Sequence, residues 1–216
     1  MTTIESAPDV LAVQGDALES APKEAADVGN PALVGVPTFL VGSIALALVL
    51  TGYVPAAATG ASIPIILAAT GVGQLVAAIW AANLAQNAVA AIFGIFSGFW
   101  VSYAALVLGL TNNWFGITAE DAVGTQKLFL LSWLIVIVLL TVGSLRLPFA
   151  FTLLFVLIDT ALLFVFLGTA NASENQTHIG GYLVFSFAAV GAYMFLDAMS
   201  TATGGSTLPM GRPVVR

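Results

Sequence analysis

Long apolar runs separated by short polar clusters organise this chain from residue 28 onward. No charged residue occurs between residues 28 and 119, a stretch long enough for three helical crossings of about 20 residues each. Gly, Pro and Thr cut it into pieces. The pattern predicts a first helix over residues 34–53, ending before Val54 and Pro55, and a second over 62–82, closed by a polar turn over 83–87. A third is predicted over 89–110. The longest polar connection, 111–126, precedes a fourth helix over 127–145. Arg146 and Pro148 then mark a tight turn, because the residue before a proline is biased away from the helical region. A fifth helix is predicted over 148–169, a polar loop over 170–178, and a sixth helix over 179–200.

Composition turns this pattern into a fold class. The 216 residues are 59% hydrophobic and only 7% charged, against about 45–50% and about 25% in ordinary soluble domains. The mean hydropathy is +1.03. So few charges could not cover a water-soluble surface, which excludes a soluble enzyme. The expected fold is an all-α integral membrane protein with six transmembrane helices. It comprises an acidic tail without a fixed fold over 1–29, a membrane domain over 30–203 and a C-terminal tail over 204–216.

Charge adds orientation. Glu5, Asp9, Asp16, Glu19, Glu24 and Asp27 stand against Lys23 in the first 29 residues, so most of the net charge of −6 belongs to that tail. The tail has neither the basic start nor the apolar core of a signal peptide, and the first helix is expected to direct insertion. With both termini cytoplasmic, Lys23, Arg146, Arg212 and Arg216 fall inside and only Lys127 outside, as the positive-inside rule requires. An even number of crossings demands the same. The acidic balance argues against nucleic acid, which needs a basic stripe. Cysteine is absent, so disulfides and thiolate chemistry drop out.

Few residues could carry chemistry. Asp159 sits mid-way along the fifth helix, and Asp197 in the last turn of the sixth. An acid at bilayer depth is costly, at about 2.5–3.5 kcal/mol or more. Asp159 is therefore either a pathway or proton-coupling group, or a hydrogen-bonded lock between helices. Asp197 lies near an interface, where exposure costs little. Gln74 in the second helix could bond across helices or line a pathway. Phe93, Phe96 and Trp100 share one face of the third helix, as packing or as the wall of a narrow apolar pore. Gly94 and Gly98 form a GxxxG packing signal. His178, the one histidine, reads as a surface residue and cannot make a metal site alone. The sequons at Asn171 and Asn175 fall in the predicted outer loop. No metal and no cofactor are expected: helix-core lysines for a Schiff base, a phosphate loop and paired haem histidines are all missing.

Three stretches carry a resemblance. Residues 30–39, Asn-Pro-Ala-Leu-Val-Gly-Val-Pro-Thr-Phe, resemble the NPAPLGL…F signature of the acetate uptake transporter family, the bacterial succinate–acetate permeases and fungal acetate transporters. Residues 93–100 are similar to its AFxSYGxFW stretch, and residues 206–211 to its terminal TVLPIG. Gln74 matches a Gln of the family's second helix. The resemblance implies a six-helix protomer assembled as a homo-hexamer in the plasma (inner) membrane, with one pathway per protomer. It also implies a small carboxylate substrate and proton coupling. Its apolar constriction of Phe, Tyr and Leu maps to Phe39, Phe96 and Ile158, with Asn30, Gln74 and Phe93 at the entrance and along the pathway. Leu33, Phe96 and the uncharged run 81–88 depart from the family pattern, as does Asp159 beside Ile158.

An apolar neck favours a neutral acid over a bare anion. The expected function is therefore a channel or transporter for acetate or a similar monocarboxylate, with Asp159 as the proton-coupling candidate. The alternatives are a channel for a neutral solute such as urea or an amide, and a non-transporting subunit of the same fold.

Overall fold

The protein, described here as a computed structural model, is seen over residues 29–215. The acidic tail other than Gly29 lies outside the described residues. Six helices are long and apolar enough to cross a membrane: α1 (Ala32–Leu50), α2 (Gly60–Asn83), α3 (Asn87–Thr111), α4 (Ala122–Gly143), α5 (Phe149–Asn171) and α6 (Glu174–Ala202). Helices are the economical answer to hydrocarbon, since each satisfies its own backbone polar groups. The chain is a multi-pass membrane protein.

Neighbouring helices in sequence pack side by side, and α6 returns against α1. The six thus form a closed ring. The α3–α4 seam is the sparsest in backbone contact, because aromatic side chains hold the two helices apart. There Phe99 meets Trp133 edge-on at 5.5 Å and stacks on Tyr103 at 6.3 Å. Gly98 makes room for Trp133 across this seam, while Gly94 faces Ala78 of α2. Trp100 is fully buried.

Two departures from regular helix matter for the site. Pro37 lies inside α1 and removes a backbone donor. The stretch Ile65–Gly71 of α2 is π-helical; its wider turns shift the helix face out of the 3.6-residue phase.

The polar loop expected over 170–178 is instead a two-residue turn. Helix α5 runs to Asn171, Ala172 turns the chain in the left-handed region, and α6 starts at Glu174. Ser173 caps α6 by accepting from Gln176 N–H, and Glu174 suits the positive helix start. Ser173 and Gln176 have capping-box spacing, a signal the apolar pattern overrode. His178 is therefore helical, 3.7 Å from Glu174. Helix α4 likewise begins five residues before the expected Lys127, with Thr118 Oγ1 donating to Asp121 Oδ2 at 2.7 Å just ahead of it. Since α6 reaches Ala202, Asp197 lies more than a turn before its end rather than in the last turn.

The C-terminal segment folds back across the helix ends. Ser200 Oγ donates to Ser206 O at 2.8 Å, Tyr193 OH donates to Pro209 O at 2.9 Å, and Ala150 N–H donates to Met210 O at 3.0 Å. Gly211, at φ +78°, turns the chain past Phe149. Val214 and Val215 N–H then both reach Leu145 O at 3.1 Å.

Candidate functional site

Two cavities lie end to end inside the ring. The larger, about 330 Å³, opens at the end where the described chain begins and ends; among its walls are Asn30, Gln74, Phe93, Pro148, Asp197 and Met210. The smaller, about 60 Å³, lies deeper and is lined by residues such as Leu50, Tyr103, Leu130, Ile158 and Val184. Phe39 and Phe96 line both. Their rings meet edge to face with centroids 5.1 Å apart, so this pair divides the larger vestibule from the smaller chamber.

The neck is thicker than two rings. Phe187 of α6 packs on Phe39 at 5.6 Å, and Phe155 of α5 stacks on Phe96 at 6.1 Å. All four are buried. Ile158 lines the smaller chamber just beyond them. Phe155 and Phe187 escaped the sequence reading because nothing distinguishes them from the many other apolar residues of their helices.

The vestibule wall is built by close approach of α1, α2 and α3. The Phe93 ring occupies the space a side chain at position 35 would need, so only glycine fits there. That leaves the Gly35 carbonyl within reach of the Gln74 amide, which donates to it and to Thr38 Oγ1. Gln74 is fully buried, and its Oε1 has no hydrogen-bond partner among the described residues. Gln74 therefore does both things its sequence position allowed, bonding across helices and lining a cavity. Asn30 Oδ1 accepts from Ala32 N–H at 3.0 Å at the mouth. The chain before it is held by Gln86 Nε2 donating to Gly29 O at 3.4 Å.

Phe93 and Phe96 face the vestibule, and Trp100 faces the smaller chamber. The aromatic stripe of α3 is thus a cavity wall. The two acids fall differently from their sequence positions. Asp159 lines neither cavity; its Oδ2 accepts from Thr141 Oγ1 of α4 at 2.7 Å, and its Oδ1 has no partner among the described residues. Asp197 lines the vestibule, and its Oδ1 accepts from Leu208 N–H at 2.6 Å. Among the described residues no cluster of three or more His, Cys, Asp or Glu side chains is arranged for a metal.

Comparison with known proteins agrees with this architecture. The model of the GPR1/FUN34/yaaH family matches residues 14–209. The meiotically up-regulated gene 86 protein of Schizosaccharomyces pombe is 30% identical over 179 residues, covering 73% of this chain and 54% of that protein. Acetate permease A of Emericella nidulans is 28% identical over 151 residues, covering 67% of this chain and 51% of its own. The chain therefore spans about half the length of these two relatives. The solved structure of the bacterial acetate channel SatP superposes with a TM-score of 0.76 at 18% identity, over 86% of this chain and all of that one. At that identity the likeness is one of fold.

Proposed function

We propose, for a chain that belongs to the GPR1/FUN34/yaaH family, a membrane channel or transporter that moves acetate or a similar small monocarboxylate across the plasma membrane. The observation that carries this reading is a vestibule with polar groups at one end and a buried aromatic neck at the other. The names of two similar proteins, an acetate permease and an acetate channel, support the substrate class.

The neck decides the form in which the substrate passes. Moving a bare carboxylate into a dry, low-dielectric site idealises to about 20 kcal/mol before relaxation. Protonating an acid of pKa about 4–5 at neutral pH costs about 3–4 kcal/mol. The neutral acid, or the anion in step with a proton, is the cheaper traveller. The unpartnered Gln74 Oε1 is an acceptor, which suits the O–H of an undissociated acid and offers nothing to a bare carboxylate. Since the Phe39 and Phe96 rings touch, passage requires them to turn aside.

Asp159 enters as the proton-coupling candidate, one residue from Ile158 and bonded to Thr141 outside the cavities. The assembly is proposed to be a homo-hexamer with one pathway per protomer and both termini in the cytoplasm. This makes the larger vestibule the inner one. The protein acts as a conduit, with no enzymatic step.

Purified protein in liposomes tests the reading. Labelled acetate uptake is expected to fall about tenfold per pH unit between pH 6 and 8, following the neutral fraction. Urea flux without acetate flux would favour the neutral-solute channel instead. That alternative has one observation behind it, because an amide N–H would also satisfy Gln74 Oε1.

A further inference from the structure

Asp197 is a vestibule acid that passage of a neutral molecule leaves without a task. Its Oδ1 is occupied by Leu208 N–H of the returning C-terminal segment. That segment is itself fastened by Tyr193 OH to Pro209 O and by Ala150 N–H to Met210 O, and Met210 is part of the same cavity wall. The carboxyl group is therefore fixed at the mouth rather than free to swing away.

Among the described residues no cation lies within 4.0 Å of it. The one charged pair within 4.0 Å among the described residues joins His178 and Glu174, at the opposite ends of the helices. Among the described residues no lysine, arginine or histidine lines either cavity. The exposed Arg146 and Arg212 are the bases of the described chain at this end of the ring, and neither reaches Asp197 within that distance. The other unengaged polar atom of the buried wall, Gln74 Oε1, is an acceptor as well. Asn30 Nδ2 at the mouth is a neutral donor, so the charge of Asp197 is the one full charge in the described wall; it repels an entering anion, and the low dielectric of the apolar walls strengthens the repulsion.

We infer that Asp197 is a specificity-determining residue that discriminates against dicarboxylates. Its charge does not oppose a neutral acid, opposes a monoanion once and opposes a dianion twice. This is selection by a repulsive element rather than by a better fit. The C-terminal segment acts as its positioning element, through the Leu208 N–H bond. The inference rests on the reading of the chain as a pathway for small carboxylic acids.

Asp197→Asn tests it, because the amide oxygen still accepts from Leu208 N–H while the charge is gone. Initial rates of labelled succinate and acetate uptake are measured in liposomes holding wild-type or variant protein. The succinate-to-acetate ratio is expected to rise about tenfold in Asp197→Asn, equivalent to about 1.4 kcal/mol, with acetate uptake changed less than about threefold. Asp197→Glu, which keeps the charge, is expected to hold the wild-type ratio. An unchanged ratio in Asp197→Asn with acetate uptake intact overturns the role of Asp197 and leaves the acid-transport reading standing. A raised ratio in Asp197→Glu as well also overturns it, since packing and not charge would then set the selectivity. Wild-type liposomes that take up neither acid overturn the transport reading itself.

Discussion

The two chambers on either side of the Phe39–Phe96 contact are made of different material. The vestibule mixes aromatic rings with Asn30, Gln74 and Asp197, whereas the deeper chamber is lined by apolar side chains and the Tyr103 and Trp100 rings. The first can receive a polar solute and orient it; the second offers it little. If the two chambers form the proposed pathway, the energetic barrier lies at the neck and beyond, and the chemistry of selection before it. A solute must be chosen, and its charge dealt with, while polar groups and water are still within reach.

The contrast breaks most severely at the shared wall. Phe96→Ala removes a buried ring that touches Phe39 and stacks on Phe155. Such truncations cost about 3–5 kcal/mol in a packed core, which thermal unfolding in detergent would register. In protein that still folds, the two cavities merge, and acetate uptake is expected to lose its steep pH dependence as the anion leaks through.

The next largest effect is expected at Gln74. Gln74→Leu takes from the Gly35 carbonyl one of its two side-chain donors, leaving Thr38 Oγ1 at 3.0 Å, and takes from the vestibule wall its amide acceptor. Losing one such hydrogen bond costs about 0.5–1.5 kcal/mol, and acetate uptake in liposomes should fall about tenfold. Thr38→Val, which loses the 3.4 Å contact with Gln74 together with the Thr38 Oγ1 bonds to Val34 O and Gly35 O within α1, keeps the Gln74 amide and should have a smaller effect on the same assay.

Asp159 sharpens the comparison from outside both chambers. If it hands on a proton, Asp159→Asn flattens the pH dependence of uptake while the Thr141 contact survives through the amide oxygen. An unchanged pH profile assigns it to holding α4 against α5. A double-mutant cycle with Thr141→Val measures that lock, expected near 0.6 kcal/mol and no more than about 1.7 kcal/mol, the range found for hydrogen bonds between membrane helices. The smallest change in uptake is expected for Tyr193→Phe. It removes one of the bonds that fasten the C-terminal segment, worth about 0.5–1.5 kcal/mol, and faster proteolysis within residues 204–215 is the readout.

Much of this site was legible in the sequence. The segment from Asn30 to Phe39, the Gln74 position and the aromatic stripe of α3 were all visible as motif or spacing, and the structure gathers them around the two cavities. The acids were harder. Asp159 drew attention because it is deep in an apolar run, yet depth along a helix says nothing about rotation around it. Thr141 lies on another helix, and no spacing within α5 could announce that contact. Asp197 was discounted as interfacial because the helix was expected to end near it. The fold-back of residues 206–211, which covers that helix end and makes Asp197 part of a wall, depends on hydrogen bonds between residues distant in sequence.

What the sequence alone determined is the number and order of crossings. Charges are so scarce, and apolar runs so long, that only helices satisfying their own backbone in lipid are compatible with the chain. Which side chains face a common space was decided by tertiary structure. The π-helical stretch of α2 shifts the phase on which Gln74 sits, Gly35 admits the Phe93 ring, and aromatic bulk spaces α3 from α4. The last two are properties of two helices at once, and the first matters only through the neighbours that α2 then meets. In a chain where nearly every residue is apolar, hydrophobic periodicity cannot tell the lipid-facing side of a helix from the side that meets its neighbours.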